Sequence, residues 1–371
     1  MADIYRLVDG GFLAILSQTE DPRDRRGLVY SIESLLTIAI CTYLCNGNTF
    51  EEMEVFAETH RAWLREKFGM QSVPCADTFN RLFQALAPEA MTQLLSELAE
   101  HLRVKTPNGL KTIAVDGKTV RGSVKNGRSI HILNAWAGEN RIAIGQLAVD
   151  SKSNEITHVP QLLRSLNLQD AIVTADALNT QVTTAQTIID GKGAYVLPIK
   201  KNHPTHRSVI AAIMDDVART QQPGFEQVEK GHGRLEIRRC WATEDLSLFL
   251  ERDKWPGIRS LARIDRVRCL PDGTESKETA LFISSLPADA ATIATAVRQH
   301  WGVENQCHWC LDIVFREDDC RARTRNAARN LSALRVVCLN ILRHSKVKGS
   351  LRIKRFRASF DISILEQLLN L

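Results

Sequence analysis

The feature that most constrains this chain is the order of apolar runs between residues 111 and 199. "LKTIAV", "SIHILNAWAG" and "RIAIGQLAVD" read as three strands, the last two joined by a turn at Gly138-Glu139-Asn140. "NEITHVPQLLRSLNL" then has helical spacing, "AIVTADA" reads as a strand, "TQVTTAQTIIDGKG" as a helix and "AYVLPIKKN" as a strand. Three strands followed by alternating helices and strands require a mixed sheet with helices packed on it. Two acids stand out in that order. Asp116 and Asp176 each close an apolar β run, and each precedes a small residue, Gly117 or Ala177. One Asp at such a place is an ordinary turn residue. Two on neighbouring strands would sit at the sheet edge where α/β folds gather ligands. Carboxylates that close repel each other unless a proton or a cation lies between them. Oxygen ligands with few His nearby favour Mg²⁺ or Mn²⁺ over zinc.

A third acid would complete such a site from a helix lying across the sheet. Glu304 in "QHWGVENQCHW" fits, within a helix-like stretch from Ala288 to Phe315. His300, His308, Leu311 and Asp312 fall roughly on its face by helical spacing. His308 and Asp312 are expected to fix that helix by hydrogen bonds rather than to hold metal. Trp301 and Trp309 could stack on a base, but two Trp in an apolar helix more often pack in a core. Cys307 and Cys310 make a single C-x-x-C with no second pair at zinc-site spacing, so buried thiols are the simpler reading.

The flanks differ in texture. Residues 1–105 read as helices: "SIESLLTIAICTYLCNG", a segment opened by a Thr49/Glu52 capping box, and "SVPCADTFNRLFQAL". Three short helices fit a helix-turn-helix-like unit with Thr78, Asn80 and Arg81 near a reading helix. A plain helical bundle is the simpler alternative. Residues 203–280 are polar and read as an insertion, after which "ALFISSL" resumes as a strand. The remainder is helical, and from Arg343 to Phe360 it carries seven Lys or Arg and no acid. Such a run is the form a phosphate-binding patch takes, and also that of a solvated tail.

Bulk composition excludes several classes. With 44% hydrophobic and 25% charged residues the chain is of ordinary globular type. No apolar run reaches the ~18–20 residues of a membrane span. "MADIYRLVDGGFLAIL" lacks the basic start of a signal peptide. Nine Cys, mostly inside apolar stretches, suit a reducing cytoplasm. The expected location is therefore the cytoplasm.

Taken together, "AVDGKTVRGS", "KSNEI", "VTADALNTQ", "YVLPIKKN", "RQHWGVENQCHWCLDIVFREDDCR" and "NLSALRVVCLNILR" resemble the bacterial insertion-sequence DDE transposases. The likeness is to the ISAs branch that includes the H-repeat-associated proteins, and it covers nearly the whole chain in order. "DPRDRRGLVYSIESLL" and "PCADTFNRLFQAL" resemble the helical segment that precedes the catalytic core in that branch. The resemblance implies an RNase H-like core (106–202 and 281–320) interrupted by an insertion (203–280). A helical N-terminal domain (1–105) that binds DNA would precede it, and a helical basic C-terminal region (321–371) would follow. It places the catalytic, metal-holding triad on Asp116, Asp176 and Glu304, the three acids reached above. Those acids would hold two Mg²⁺ ions, for which Mn²⁺ can substitute, roughly 3.5–4 Å apart. Strand cleavage and joining then need no covalent protein–DNA intermediate. The implied partners are the inverted-repeat ends and a target DNA, the implied assembly is a homodimer on DNA, and the implied location is the bacterial nucleoid.

The chain departs from the family in one place. The wider group often shows Tyr, Arg and Lys at seven before, four before and seven after the Glu, where this chain has Val297, His300 and Leu311. A protonated His300 could partly replace the Arg, and Arg298, Arg316, Lys200 or Lys201 are other candidates. Lys118 and Arg121 could reach a phosphate, Lys200, Lys201 and Asn202 could track DNA, and Trp301 could meet a base. Arg352, Lys354 and Arg355 represent the basic C-terminus. Two rival readings remain: an RNase H-like nuclease without strand transfer, and a non-catalytic DNA-binding protein derived from a transposase.

Overall fold

A computed structural model of the chain describes residues 15–24, 26, 28–102, 111–125, 128–149, 155–231 and 233–369. The start of the chain, the expected boundary at 105/106 and most of the "KSNEI" stretch lie outside the described residues.

The N-terminal segment is helical, as its caps require. Helix α1 (Ile32–Leu44) starts where the Ser31 side chain accepts the Ser34 N–H. Helix α2 (Phe50–Thr59) starts at the capping box of Thr49 and Glu52. Helices α3 (Arg61–Phe68), α4 (Ala76–Ala85) and α5 (Pro88–Leu102) follow. Helix α4 buries Phe79, Leu82 and Phe83, while Arg81 is turned outward beside Asp77.

Next come strands β1 (Thr112–Lys125), β2 (Arg128–Ala137) and β3 (Ile142–Val149), helix α6 (Glu155–Arg164) and strand β4 (Ile172–Ala175). Helix α7 (Val182–Asp190), strand β5 (Ala194–Ile199) and helix α8 (Pro204–Thr220) continue the alternation. Strands β6 (Phe225–Gly231), β7 (Arg234–Thr243), β8 (Ser260–Cys269) and β9 (Glu275–Ser284) complete one nine-stranded sheet of order β3-β2-β1-β4-β5-β9-β8-β7-β6. β1, β4 and β5 are mutually parallel neighbours, and every other pairing is antiparallel. The stretch expected as an insertion therefore extends the sheet itself. Its last strand begins at Glu275, earlier than the apolar "ALFISSL", because the exposed first half of β9 carries no hydrophobic signal.

Helix α9 (Ala290–Gly302), a π-helical turn (Val303–His308) and helix α10 (Trp309–Ile313) cross one face of the sheet. Helices α11 (Ala327–His344), α12 (Leu351–Phe360) and α13 (Ile362–Leu369) end the described chain. They share one hydrophobic core with α1–α5 and with Ala114, Trp136 and Ala143 of the sheet. The expected N-terminal domain and C-terminal region thus contribute to one shared core. Trp63 donates to Glu366 at 2.8 Å, and Arg355 donates to the Tyr43 carbonyl at 2.8 Å across that body. A second core lies on the opposite face, where Val115, Leu133 and Val173 meet α6, α7 and α8.

Candidate active site

The three acids come together. β1 and β4 run parallel with Val115 beside Ala175, so the next residue of each strand, Asp116 and Asp176, reaches the same edge. β1 does not stop at Asp116, as the apolar run implied. It continues to Lys125, paired with β2. Beyond the end of β4 it is met by the segment 317–323, where the Arg121 N–H donates to Asp318 Oδ1 at 2.9 Å and Arg323 donates to the Gly122 carbonyl. Asp116, Asp176 and Glu304 all line one cavity of about 630 Å³ between α9 and the sheet. Burial pushes the Asp116 carboxyl up to about 6. His308 opposes that shift, while the charges of Asp176 and Glu304 add to it.

Glycine follows Asp116 for a steric reason. A Cβ on Gly117 would lie 2.3 Å from His131 Nε2 and 2.6 Å from Glu155 Oε1. Those two buried side chains contact each other at 2.5 Å on the far face of the sheet. Glu155 also accepts from Asn179 Nδ2 at 2.9 Å, and the same amide donates to Asp176 Oδ1 at 2.7 Å. The Asn179 N–H donates to that oxygen too, at 3.0 Å. Asp176 is therefore clasped by its own loop.

Glu304 lies in the π-helical turn, a one-residue widening of the kind that often marks function. Gly302 lets the helix approach, since a Cβ there would meet Trp136 Nε1 at 2.9 Å. The carboxylate is mostly exposed and lies 3.2 Å from His308 Nδ1, and its hydrogen bond with that ring holds its pKa below the usual range. His308 Nδ1 is also 3.7 Å from Asp116 Oδ2. Oxygens of Asp116 and Glu304 and a nitrogen of His308 all lie within 4.8 Å of one another, close enough to surround a cation. Two carboxylates and an imidazole this close form a group that could hold a metal ion.

Several expected DNA contacts are placed differently. Lys118 is buried, bonded to Asp312 and, at 2.6 Å, to Glu317; it cannot reach a phosphate. Lys354 is buried and donates to the Leu342 carbonyl at 2.6 Å. Arg355 is buried over the Phe315 ring and donates to the carbonyls of Tyr43, Gly47 and Val314. These three cations hold the fold, because helix ends and loops near them leave carbonyls or carboxylates to be satisfied. Burial pushes His300 down to about 4, and its Nδ1 lies 3.0 Å from the Thr174 hydroxyl. It is neutral at physiological pH and does not replace the Arg of the relatives' signature. Asn202 donates to the Ala177 carbonyl at 2.6 Å and so braces the Asp176 loop.

Other cations do border the acids. Lys200 and Arg298 line the cavity, and Lys201 is exposed just beyond it. Arg121 is exposed beside Asp318 at 3.7 Å, and Arg316 is exposed and bonded to Asp319 at 2.8 Å. Arg352 faces solvent on α12. Trp301 and Trp309 are 46% and 55% exposed, contrary to the core packing expected of them. That expectation rested on the general preference of Trp for apolar cores, whereas Trp301 lines the cavity and Trp309 faces away from the packed side of its helix. Cys307 and Cys310 do point inward, and burial pushes both thiols up.

The sequence reading missed residues on β6–β9 altogether. Arg238, Arg239 and Arg266 line the cavity, and the Arg266 guanidinium lies 5.7 Å from the Trp301 ring centre. It also missed the polar side chains behind the acids: Asn134, Gln146, His131, Glu155 and Glu317. For the strand residues His131, Asn134 and Gln146 the one signal is polar residues interrupting apolar strands, as in "HILNAW" and "IAIGQLAV"; Glu155 and Glu317 carry none.

An acid cluster on a mixed sheet, facing a cavity lined by several cations, is an arrangement that suits a metal-dependent enzyme acting on an anionic substrate. Residues 107–341 match the transposase DDE domain, and residues 13–99 match the DDE_Tnp_1-associated segment. The chain belongs to the DDE transposase family, whose members are DNA-cleaving enzymes. It is 31% identical to the protein YbfL of Escherichia coli K12 over 95% of this chain and 96% of that one. It is 30% identical to the H repeat-associated protein YhhI of the same strain, whose name assigns it as a transposase, again over 95% and 96%. Among solved structures it is similar to a piggyBac transposase synaptic complex with hairpin DNA, with a TM-score of 0.47 and 11% identity over all of this chain and 79% of that one. No helix among the described residues is long and apolar enough to cross a membrane.

Proposed function

We propose that this transposase uses Asp116, Asp176 and Glu304 as its metal-holding acids, and that it both cleaves and joins DNA strands. The carrying observation is the convergence of all three carboxylates on one cavity with Asp116 held up to about 6. Three oxygen donors of this kind suit Mg²⁺ or Mn²⁺. When bound, such ions supply activation of an attacking water or 3′-hydroxyl and stabilisation of the leaving oxygen. The chain's own side chains do the rest. Lys200, Arg266 and Arg298 on the cavity wall hold phosphates, and the exposed Trp301 face offers a stacking platform. The order β3-β2-β1-β4-β5, with only β2 antiparallel to its β1 neighbour among the central strands, supports an RNase H-like core extended by β6–β9. The proposed substrates are element ends and a target DNA, paired by a homodimer on DNA.

A strand-transfer assay with a precut element end and Mg²⁺ tests this reading. The expected result is joined product from the parent protein and none from Glu304→Gln. Cleavage without joining would favour a nuclease. Full activity in Glu304→Gln would overturn the acid assignment.

A further inference from the structure

Taking Glu304 as a metal-holding acid, we propose that His308 is a positioning residue whose Nδ1–H donates to the Glu304 carboxylate. A buried chain of hydrogen bonds fixes the proton on that nitrogen. The inference rests on the reading of the site above and adds to it a residue that acts through Glu304.

The chain is read from its far end. Glu317 is fully buried and paired with Lys118 at 2.6 Å, so it is a carboxylate and can only accept. The Ser332 hydroxyl, 2.7 Å from Glu317 Oε1, must therefore donate its single hydrogen to it. Ser332 Oγ can then only accept from Gln146, 3.4 Å away, so Gln146 presents its amide nitrogen there. The same nitrogen lies 3.1 Å from the Asn134 side chain, which must present Oδ1 to it. Asn134 Nδ2 is then left facing His308 Nε2 at 3.2 Å. An amide N–H directed at Nε2 requires a lone pair there, so the ring hydrogen sits on Nδ1.

Strand pairing sets the row in place. Asp116 is opposite Asn134 on β2, and Asn134 is opposite Gln146 on β3, so the three project from one face of the sheet. Asn134, Gln146, Ser332 and His308 are all buried, where a reversed amide would leave two donors or two acceptors opposed. His308 thus offers the acids a hydrogen, with no lone pair for a cation. Proximity alone makes it look like a third ligand; the proton count makes it a donor that orients one. Such outer partners commonly govern how well a ligand holds its metal.

The first test needs no metal. In the full chain labelled with ¹⁵N-histidine, long-range ¹H–¹⁵N correlation reads which ring nitrogen carries hydrogen, with His308 assigned by its loss in His308→Asn. The expected pattern is a protonated Nδ1 and a bare Nε2. A protonated Nε2, alone or with Nδ1, overturns the proposal. The second test is Mn²⁺ titration by calorimetry. His308→Leu is expected to bind roughly tenfold to a hundredfold more weakly. His308→Asn, whose amide can stand where Nδ1–H stood, should recover most of that loss. Equal weakness in both variants overturns the positioning role. Unchanged Mn²⁺ binding by Glu304→Gln overturns the metal reading of the site, whatever the ring-nitrogen pattern shows.

Discussion

Asp176 and Glu304 flank Asp116 and are held in opposite ways. Asp176 follows a four-residue strand buried along its whole length. Its clasp is Asn179, three residues on, backed by Glu155 and His131 on the face away from the cavity. Glu304 stands exposed in a widened helical turn. Its support is assembled from β1, β2, β3 and α11, through residues between Lys118 and Ser332. One acid is fixed by its own loop. The other is fixed by the core that the terminal helices share, so damage far from the cavity should reach Glu304 before it reaches Asp176.

The strongest break in that comparison is Lys118→Met. Burial alone would push the Glu317 carboxyl up, and the cations Lys118 and Arg335 outweigh it. Removing Lys118 leaves a buried acid without its nearest partner. The expected loss is about 3–5 kcal/mol, read by urea denaturation, with Mn²⁺ binding weakened in whatever fraction stays folded. A loss under about 1 kcal/mol would mean that Glu317 is solvated and the Glu304 support is local after all.

Asp116 is common to both sides and gives the pH arm. Its folded pKa of about 6 lies above its ordinary value of 3.8. Its contribution to stability is therefore complete below about pH 4 and is lost as pH rises through 6. In metal-free protein this amounts to about 3 kcal/mol at most. Added Mg²⁺ should raise the Tm more at pH 7.5 than at pH 5, and Asp116→Asn should abolish that difference. A Mg²⁺ effect equal at both pH values would sink the assignment.

Asn179→Leu tests the Asp176 side alone. The loop keeps its backbone N–H but loses the amide that serves two carboxylates. About 1.5 kcal/mol should be lost, with the His308 ring-nitrogen pattern unchanged. A changed pattern would mean that the two supports are one network.

The same contrast explains what could be read from the chain. Asp176 and the adjacent Asn179 are both contained in "TADALN" and the strand order is written in the apolar runs, so Asp176 was legible, though its backing by Glu155 and His131 was not. Glu304 was reachable as an acid on a helix, but its support was not, because Asn134, Gln146 and Ser332 meet only through sheet register. Direction was the other hidden quantity. The seven cations between Arg343 and Phe360 look alike in sequence, yet Lys354 and Arg355 turn inward to carbonyls, and Arg343 lies over the Trp136 ring at 5.2 Å. Beside Lys200 and Arg298, the cavity's other cations, Arg238, Arg239 and Arg266, come from strands where alternating charges read as a polar insertion. Trp301 and Trp309 were misjudged because residue type alone was taken to imply burial, while both are about half exposed.

Arg352→Ala carries the smallest expected effect and bears on that last point. The residue is exposed on α12, so stability should move by less than about 0.5 kcal/mol. Lys200→Ala, on the cavity, should weaken binding to a DNA duplex and reduce the slope of log affinity against log salt by about 1. If DNA also runs along the C-terminal helix, Arg352→Ala should lower that slope by the same amount with the fold intact. A salt dependence identical to that of the parent would restrict the DNA path to the cavity side. The basic run would then be accounted for by the carbonyls it satisfies inside the protein and by solvent outside it.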